Sequence, residues 1–193
     1  MKDRPQKVVL VRHGETEWSL SGRHTSHTDL DLTPEGERRA EALKKILSDW
    51  RFDLVLCSPR LRAIRSCDLL GWGRAAVKTQ DLTEWNYGDY EGLTTAEIRA
   101  KAPGWTIFTQ PCPGGESASD VARRVDRVIA EVQKSGVDTL LVSHGHCLRV
   151  LTARWLGLDA SDGRFFQLET GTWSILSYER ETPVLQVWSA PPK

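Results

Sequence analysis

Two short runs in this chain end alike. Residues 8–12 lead into His13-Gly14, and residues 140–143 lead into His144-Gly145. A neutral imidazole at a strand end serves as a nucleophile or a proton carrier. The glycine after it lets the backbone turn and lets a ligand approach the main chain. Taken singly, each histidine is more readily a satisfied core or surface residue. The pair, with Arg12 directly before the first, points to a built site. Arg62 adds to it, in the run Ser58-Pro59-Arg60-Leu61-Arg62-Ala63. Guanidinium forks match phosphate oxygens two at a time and stay charged at any working pH. Alone, Arg60, Arg62 and Arg65 would decorate a solvated helix face; beside two histidines they read as a phosphate pocket. Glu84 lies in Leu82-Thr83-Glu84-Trp85-Asn86-Tyr87-Gly88. Trp85 and Tyr87 would keep water from it, the setting in which a carboxyl group keeps a proton to give away. On composition alone it is equally a surface glutamate in an aromatic-rich loop.

These groups meet only if the elements carrying them end in one place. Residues 7–12 (KVVLVR) are apolar and rich in β-branched side chains, which predicts a buried strand. Thr33-Pro34-Glu35 announces a helix with a hydroxyl cap, proline at the first position and an acid in the first turn. Ala40, Leu43, Ile46, Leu47 and Trp50 give it one apolar face. Residues 52–57 (FDLVLC) read as a second buried strand. Ser58-Pro59 then starts a helix that carries Arg62 in its first turn. Residues 79–115 are irregular and rich in Gly, Pro and aromatics. Residues 117–135 form the clearest helix, capped by Ser117 with Asp120 three positions on, striped by Val121, Val125, Val128, Ile129 and Val132, and ended by Gly136. Residues 138–143 (DTLLVS) predict a third strand and 147–156 the helix after it. Residues 171–178 and 184–188, joined by 179–183, predict a closing β-hairpin. Alternating strands and helices predict a three-layer α/β/α sandwich with a mainly parallel central sheet, built as one domain over 1–193. In such a sheet the strand ends share one edge, where α/β proteins place their sites.

Bulk properties remove other classes. The chain has 193 residues, and its 26 Lys plus Arg balance its 26 Asp plus Glu. A chain without a basic excess argues against nucleic-acid or membrane-surface binding. No apolar run approaches the roughly 18 residues of a membrane span, and residues 1–7 are too polar for a signal peptide. Cys57, Cys67, Cys112 and Cys147 are scattered without a CxxC pair, which predicts reduced thiols in a cytoplasmic protein. Eight tryptophans exceed what a core of this size needs. Some are expected at the mouth of the pocket or at a contact between two copies of the chain.

Val11-Arg12-His13-Gly14-Glu15-Thr16-Glu17-Trp18 resembles the RHGE(T/S)xW signature of the histidine phosphatase superfamily, also called phosphoglycerate mutase-like. The resemblance continues in order through Thr25, Asp31-Leu32-Thr33, Gly36, Ser58 with Arg62-Ala63, Glu84, Tyr87-Gly88 and Val142-Ser143-His144-Gly145. It implies that His13 becomes phosphohistidine, that Arg12, Arg62 and His144 bind the phosphoryl oxygens, and that Glu84 donates the proton. It implies further that Ser19, Thr25, Tyr87 and Gly145 border the substrate. Phosphoryl transfer needs an in-line nucleophile and positive charge around three equatorial oxygens. Two arginines and a second imidazole would supply that charge with no metal or other cofactor. Their field also favours a neutral His13.

Phosphoglycerate mutases of this superfamily have Asn where Ser19 and His146 stand here, and a longer insertion with paired arginines. In this chain residues 93–115 are short, with Arg99 and Lys101 as their cations. A mutase must keep water off its phosphoenzyme, and a shorter cover favours hydrolysis. Residues 84–92 and 144–149 are similar to the branch containing bacterial acid phosphatases and fungal sugar bisphosphatases. The expected activity is hydrolysis of a small phosphorylated metabolite such as a sugar phosphate or bisphosphate, with phosphoglycerate mutase as the alternative. A metal site built from His24, His27, His144, His146, Asp29 and Asp31 is a second alternative, drawn from the H-x-H spacing. A silent interaction domain is a third, though a binder has no need of the full His, Arg and Glu set.

Overall fold

The computed structural model describes residues 4–192. Its strands are β1 (Val8–Arg12), β2 (Leu54–Cys57), β3 (Val77–Lys78), β4 (Thr139–Ser143), β5 (Trp173–Glu179) and β6 (Thr182–Ala190). They form one sheet in the order β3-β2-β4-β1-β5-β6. The first four run parallel, and the last two turn back antiparallel. The helices are α1 (Glu17–Leu20), α2 (Pro34–Leu47), α3 (Leu61–Leu69), α4 (Thr95–Lys101), α5 (Ala118–Ser135) and α6 (Gly145–Trp155).

Both faces of the sheet are covered, and this is why its central strands are apolar without alternation. Val8, Leu10 and Leu141 share one buried cluster with Val121 and Val125 of α5 and Leu148 and Leu151 of α6. Val9, Val11 and Val142 share another with Leu43 and Leu47 of α2 and Ala63 and Cys67 of α3. The three layers and the mainly parallel sheet are those the sequence predicts. Val8 to Val11 are at most 2% exposed, and burying each such side chain contributes about 1.5–3 kcal/mol.

The caps read from sequence form as expected. Thr33 accepts from the Gly36 amide. Ser117 and Asp120 complete a reciprocal capping box, and Gly136 ends α5 with φ 61°. The three predicted parallel strands each begin one or two residues later than expected. The hairpin turns through Arg180, at φ 55°, and Pro183 lies on the edge strand β6, where no neighbour needs its missing amide.

Two helix starts differ from expectation. Ser58 and Pro59 stay outside α3, which begins at Leu61 with Arg60 in the cap position; the Ser58 hydroxyl bonds His144 instead. Helix α6 begins at Gly145 rather than at 147, with His144 as its cap residue. The amides of His146 and Cys147 need acceptors at that helix start, and Glu84 supplies them.

The irregular middle packs as a wall. Trp105, Ile107, Phe108 and Cys112 are buried with α5 and α6. All four cysteines are buried and unpaired. Among the described residues no helix is long and apolar enough to cross a membrane. The first three residues of the polar N-terminus lie outside the described residues.

Candidate active site

Parallel pairing of β1 with β4 brings the two histidines together. Arg12 lies opposite Ser143 in register, so the chain leaves both strands side by side. The His13 amide donates to the Ser143 carbonyl at 3.0 Å, and the two imidazole centroids are 5.1 Å apart. His13 Nδ1 lies 2.7 Å from the Gly14 carbonyl oxygen. A carbonyl only accepts, so Nδ1 carries the ring hydrogen and Nε2 keeps its lone pair. The Gly14 peptide is itself fixed, because its amide donates to Ser66 Oγ at 3.0 Å. A Cβ on Gly14 would fall 2.5 Å from the Gly36 carbonyl oxygen, so only glycine lets the loop pass this close to α2. Burial, then the charges of Arg62 and Arg12, hold the His13 pKa well below its usual value. The ring is therefore neutral over the working range.

His144 is set by its neighbours in the same way. Its Nδ1 accepts from Arg62 Nε at 3.2 Å, which leaves Nε2 to donate to Ser58 Oγ at 2.7 Å. Burial and then Arg62 lower its pKa as well. The remaining Arg62 nitrogens donate to the carbonyls of Thr28 at 3.1 Å and Thr25 at 3.0 Å. Glu91 holds that loop by accepting the amides of Ser26 and Thr28. Arg12 is less occupied. Its Nη1 donates to the Leu168 carbonyl, while its buried Nε has no partner within the protein. A Cβ on Gly145 would come 3.2 Å from the Arg12 guanidinium carbon, so this glycine leaves the arginine its path.

Glu84 is 8% exposed and is held entirely by backbone amides. Its Oε1 accepts from Trp85 and Cys147, each at 2.9 Å. Its Oε2 accepts one bond, from His146 at 3.1 Å. Oε2 is thus the less occupied of the two oxygens.

Seven of the nine residues singled out from sequence line one cleft: Arg12, His13, Ser19, Thr25, Glu84, Tyr87 and Gly145. Arg62 and His144, 1% and 0% exposed, stand behind its wall, against the buried side of His13. The Ser19 hydroxyl is engaged in capping α1 through Thr16, and the Thr25 hydroxyl bonds the Arg23 carbonyl. Sequence reasoning gave no role to Arg23 or Arg149 and left that of His146 open, yet all three line the cleft with His24 and Leu168. Arg149 carried a readable signal, since it follows Gly145 by four residues on the face that opens α6. Leu168 carried none.

One expectation is cut back, and one alternative falls away. None of the eight tryptophans lines the cleft; Trp85, Trp105 and Trp155 are buried, Trp50, Trp72, Trp173 and Trp188 pack against the core, and Trp18 is partly buried. The H-x-H pair does not converge either, because His144 turns to Arg62 and Ser58 while the His146 ring meets the Tyr87 hydroxyl at 2.7 Å. Among the described residues no three His, Cys, Asp or Glu side chains are placed to hold a metal ion.

Residues 8–191 match the family described as the histidine phosphatase superfamily (branch 1). An acid phosphatase of Mycobacterium tuberculosis is 40% identical over 188 residues, covering 95% of this chain and 92% of its own. The sedoheptulose 1,7-bisphosphatase of Saccharomyces cerevisiae is 36% identical over 184 residues, covering 79% and 68%. The solved structure of an open reading frame product from Mycobacterium tuberculosis superposes with a TM-score of 0.91 at 37% identity, over 97% of this chain and 99% of that one. With the matched family spanning nearly the whole fold and cleft, the chain belongs to the histidine phosphatase superfamily and is a phosphoric monoester hydrolase.

Proposed function

We propose that the chain hydrolyses a sugar phosphate, sugar bisphosphate or similar small phosphomonoester in two steps through His13. In the first step the Nε2 lone pair attacks phosphorus in line, and the bond from phosphorus to the leaving-group oxygen breaks. Glu84, protonated on Oε2, gives that oxygen its proton, so the alcohol leaves neutral. In the second step water attacks the phosphohistidine, the carboxylate of Glu84 takes the water's proton, and phosphate leaves with Nε2 restored. Arg12, which lines the cleft, meets the equatorial oxygens with its guanidinium. Arg62 and His144 add charge and a fixed dipole from behind the nucleophile. The polar wall made by Ser19, Thr25, Tyr87 and Gly145 borders the leaving group.

The observation that carries this reading is the bond from His13 Nδ1 to the Gly14 carbonyl. It fixes the one tautomer that can attack, within a cleft that also holds Arg12 and Glu84. The names of the relatives support a sugar-phosphate substrate, and the hydroxyl and imidazole groups of the wall suit a polyol. The test is rapid quenching with a phosphate ester at low temperature, alongside phosphate release across a metabolite panel. Wild type is expected to yield an acid-labile phosphoprotein that His13→Ala, still folded, does not form. Normal turnover by His13→Ala would end the covalent mechanism.

A further inference from the structure

Glu84 lies in a stretch with little regular structure, between single 3-10 turns at Gln80–Leu82 and Gly88–Tyr90. A proton donor held loosely would lose its alignment, since misplacement by about 1 Å costs on the order of 100-fold in rate. Two residues outside the cleft grip this stretch on both sides of Glu84. Arg124 of α5, 7% exposed, donates from Nη1 to the carbonyls of Asp81 at 2.9 Å and Thr83 at 2.7 Å. Its Nε and Nη2 fork onto the two carboxylate oxygens of Glu116 at 2.9 and 3.1 Å. Glu116 then takes up the far side: its Oε2 accepts the Asn86 amide at 2.8 Å and its carbonyl accepts the Trp85 indole N–H at 2.8 Å. Arg124 Nη1 also lies 3.5 Å from Cys147 Sγ, and the Cys147 amide is one of the three donors on Glu84.

We infer that Arg124 and Glu116 are positioning residues for proton transfer, a clamp that keeps Glu84 in line with the leaving-group oxygen. Cohesion alone does not call for a forked charge pair here, because apolar residues in place of a buried ion pair are often neutral or stabilising. What apolar side chains cannot do is fix the carbonyls of residues 81 and 83 and the amide of residue 86 at set distances. Ser143 Oγ, donating to the Leu82 carbonyl at 2.7 Å, ties the same stretch to β4 and so to His144. Neither member of the pair lines the cleft; the Arg124 charge also reaches His144, and Arg124→Lys keeps that charge while breaking the fork. The inference rests on the reading of Glu84 as proton donor.

The experiment compares an alkyl phosphate, whose leaving alkoxide needs a proton, with nitrophenyl phosphate, whose leaving group does not. Glu84→Gln sets the reference: in kcat/KM, which reports the first step and not the shared hydrolysis of the phosphohistidine, it should lose about 10²–10⁴-fold on the alkyl ester and far less on the aryl ester. Arg124→Lys keeps a charge but cannot fork onto Glu116 and reach both carbonyls. Glu116→Gln keeps one acceptor and is the gentler variant should Arg124→Lys fold poorly. Each is expected to lose roughly 10- to 100-fold on the alkyl ester and little on the aryl ester. In the Glu84→Gln background neither should cost anything more on the alkyl ester. A merely structural role would lower both esters together. Equal losses in the clamp variants, with Glu84→Gln still discriminating, overturn the clamp alone. Equal losses in Glu84→Gln overturn the proton-donor reading and the clamp with it.

Discussion

Acid should loosen this fold through a histidine that takes no part in the chemistry proposed above. His24 is partly buried against Tyr87 and Trp105, with ring centroids 4.7 and 5.5 Å away. Burial, opposed by the charge of Glu91, lowers its pKa from 6.5 to about 4. As pH falls below 6.5 the unfolded chain takes up a proton that the folded chain refuses. Stability present above pH 6.5 is therefore lost progressively until the folded group titrates near 4. The slope approaches 1.36 kcal/mol per pH unit, so His24 alone removes about 3 kcal/mol by pH 4. His13, His144 and His146 are lowered by burial too, and each adds to the loss in the same direction. The perturbation is His24→Gln, whose amide reaches the Thr95 hydroxyl that His24 Nε2 meets at 3.3 Å but does not titrate. The assay is urea unfolding at constant ionic strength from pH 7 to pH 4.5. Wild type should lose about 2 kcal/mol more than the variant across that range. Parallel pH profiles for the two proteins would refute the reasoning.

Other outcomes follow from the cleft. Because His13 stays neutral well below its ordinary pKa, kcat/KM for a phosphate ester, corrected for the ester's own second ionisation at about pH 6, should show no acid limb near pH 6.5; a limb there that His24→Gln and His146→Gln both retain would overturn the neutral nucleophile. Gly145→Ala should push the Arg12 guanidinium by a few tenths of an ångström and cost roughly 3- to 10-fold in kcat/KM, with unchanged thermal stability; an unaltered kcat/KM would remove Arg12 from contact with the substrate. With 3-phosphoglycerate and a trace of the 2,3-bisphosphate, conversion to the 2-isomer should be slight beside phosphate release from a preferred ester, and efficient isomerisation would reverse that expectation.

Local signals carried the scaffold well and the site unevenly. The strands announced themselves because residues 8–11 and 140–142 are buried on both faces and are apolar throughout. His13 and His144 were legible as a pair because each ends such a strand before a glycine. Glu84 was harder. Its aromatic neighbours suggested dryness, but beside the Trp85 amide it is held by two α6 amides, those of His146 and Cys147, and no local pattern predicts those distant donors. The start of α6 was misplaced for the same reason, since its first turn is completed by a distant carboxylate rather than by a local cap. Arg62 was legible as a cation, whereas its carbonyl partners Thr25, Ser26 and Thr28 in the loop before α2 were not. Helix α1 is one turn long and leaves no periodicity to read. Helix α4 did carry a signal, the Thr94 and Glu97 capping box, within a segment whose composition suggested only irregularity.

The position of β4 bears on how the enzyme comes to life. It is the fourth strand in the chain but lies at the centre of the sheet, inserted between β2 and β1. Val8 pairs with Thr139 across it, so the sheet closes only after most of the chain exists, and such distant pairings form late and slowly. Until that insertion His13 has no Ser143 carbonyl to fix its amide, and Arg62 has no imidazole to lean on. A growing polypeptide on the ribosome would thus carry its nucleophile for most of its synthesis without being able to use it. Cellular phosphate esters would be safe from it until the last central strand slides home.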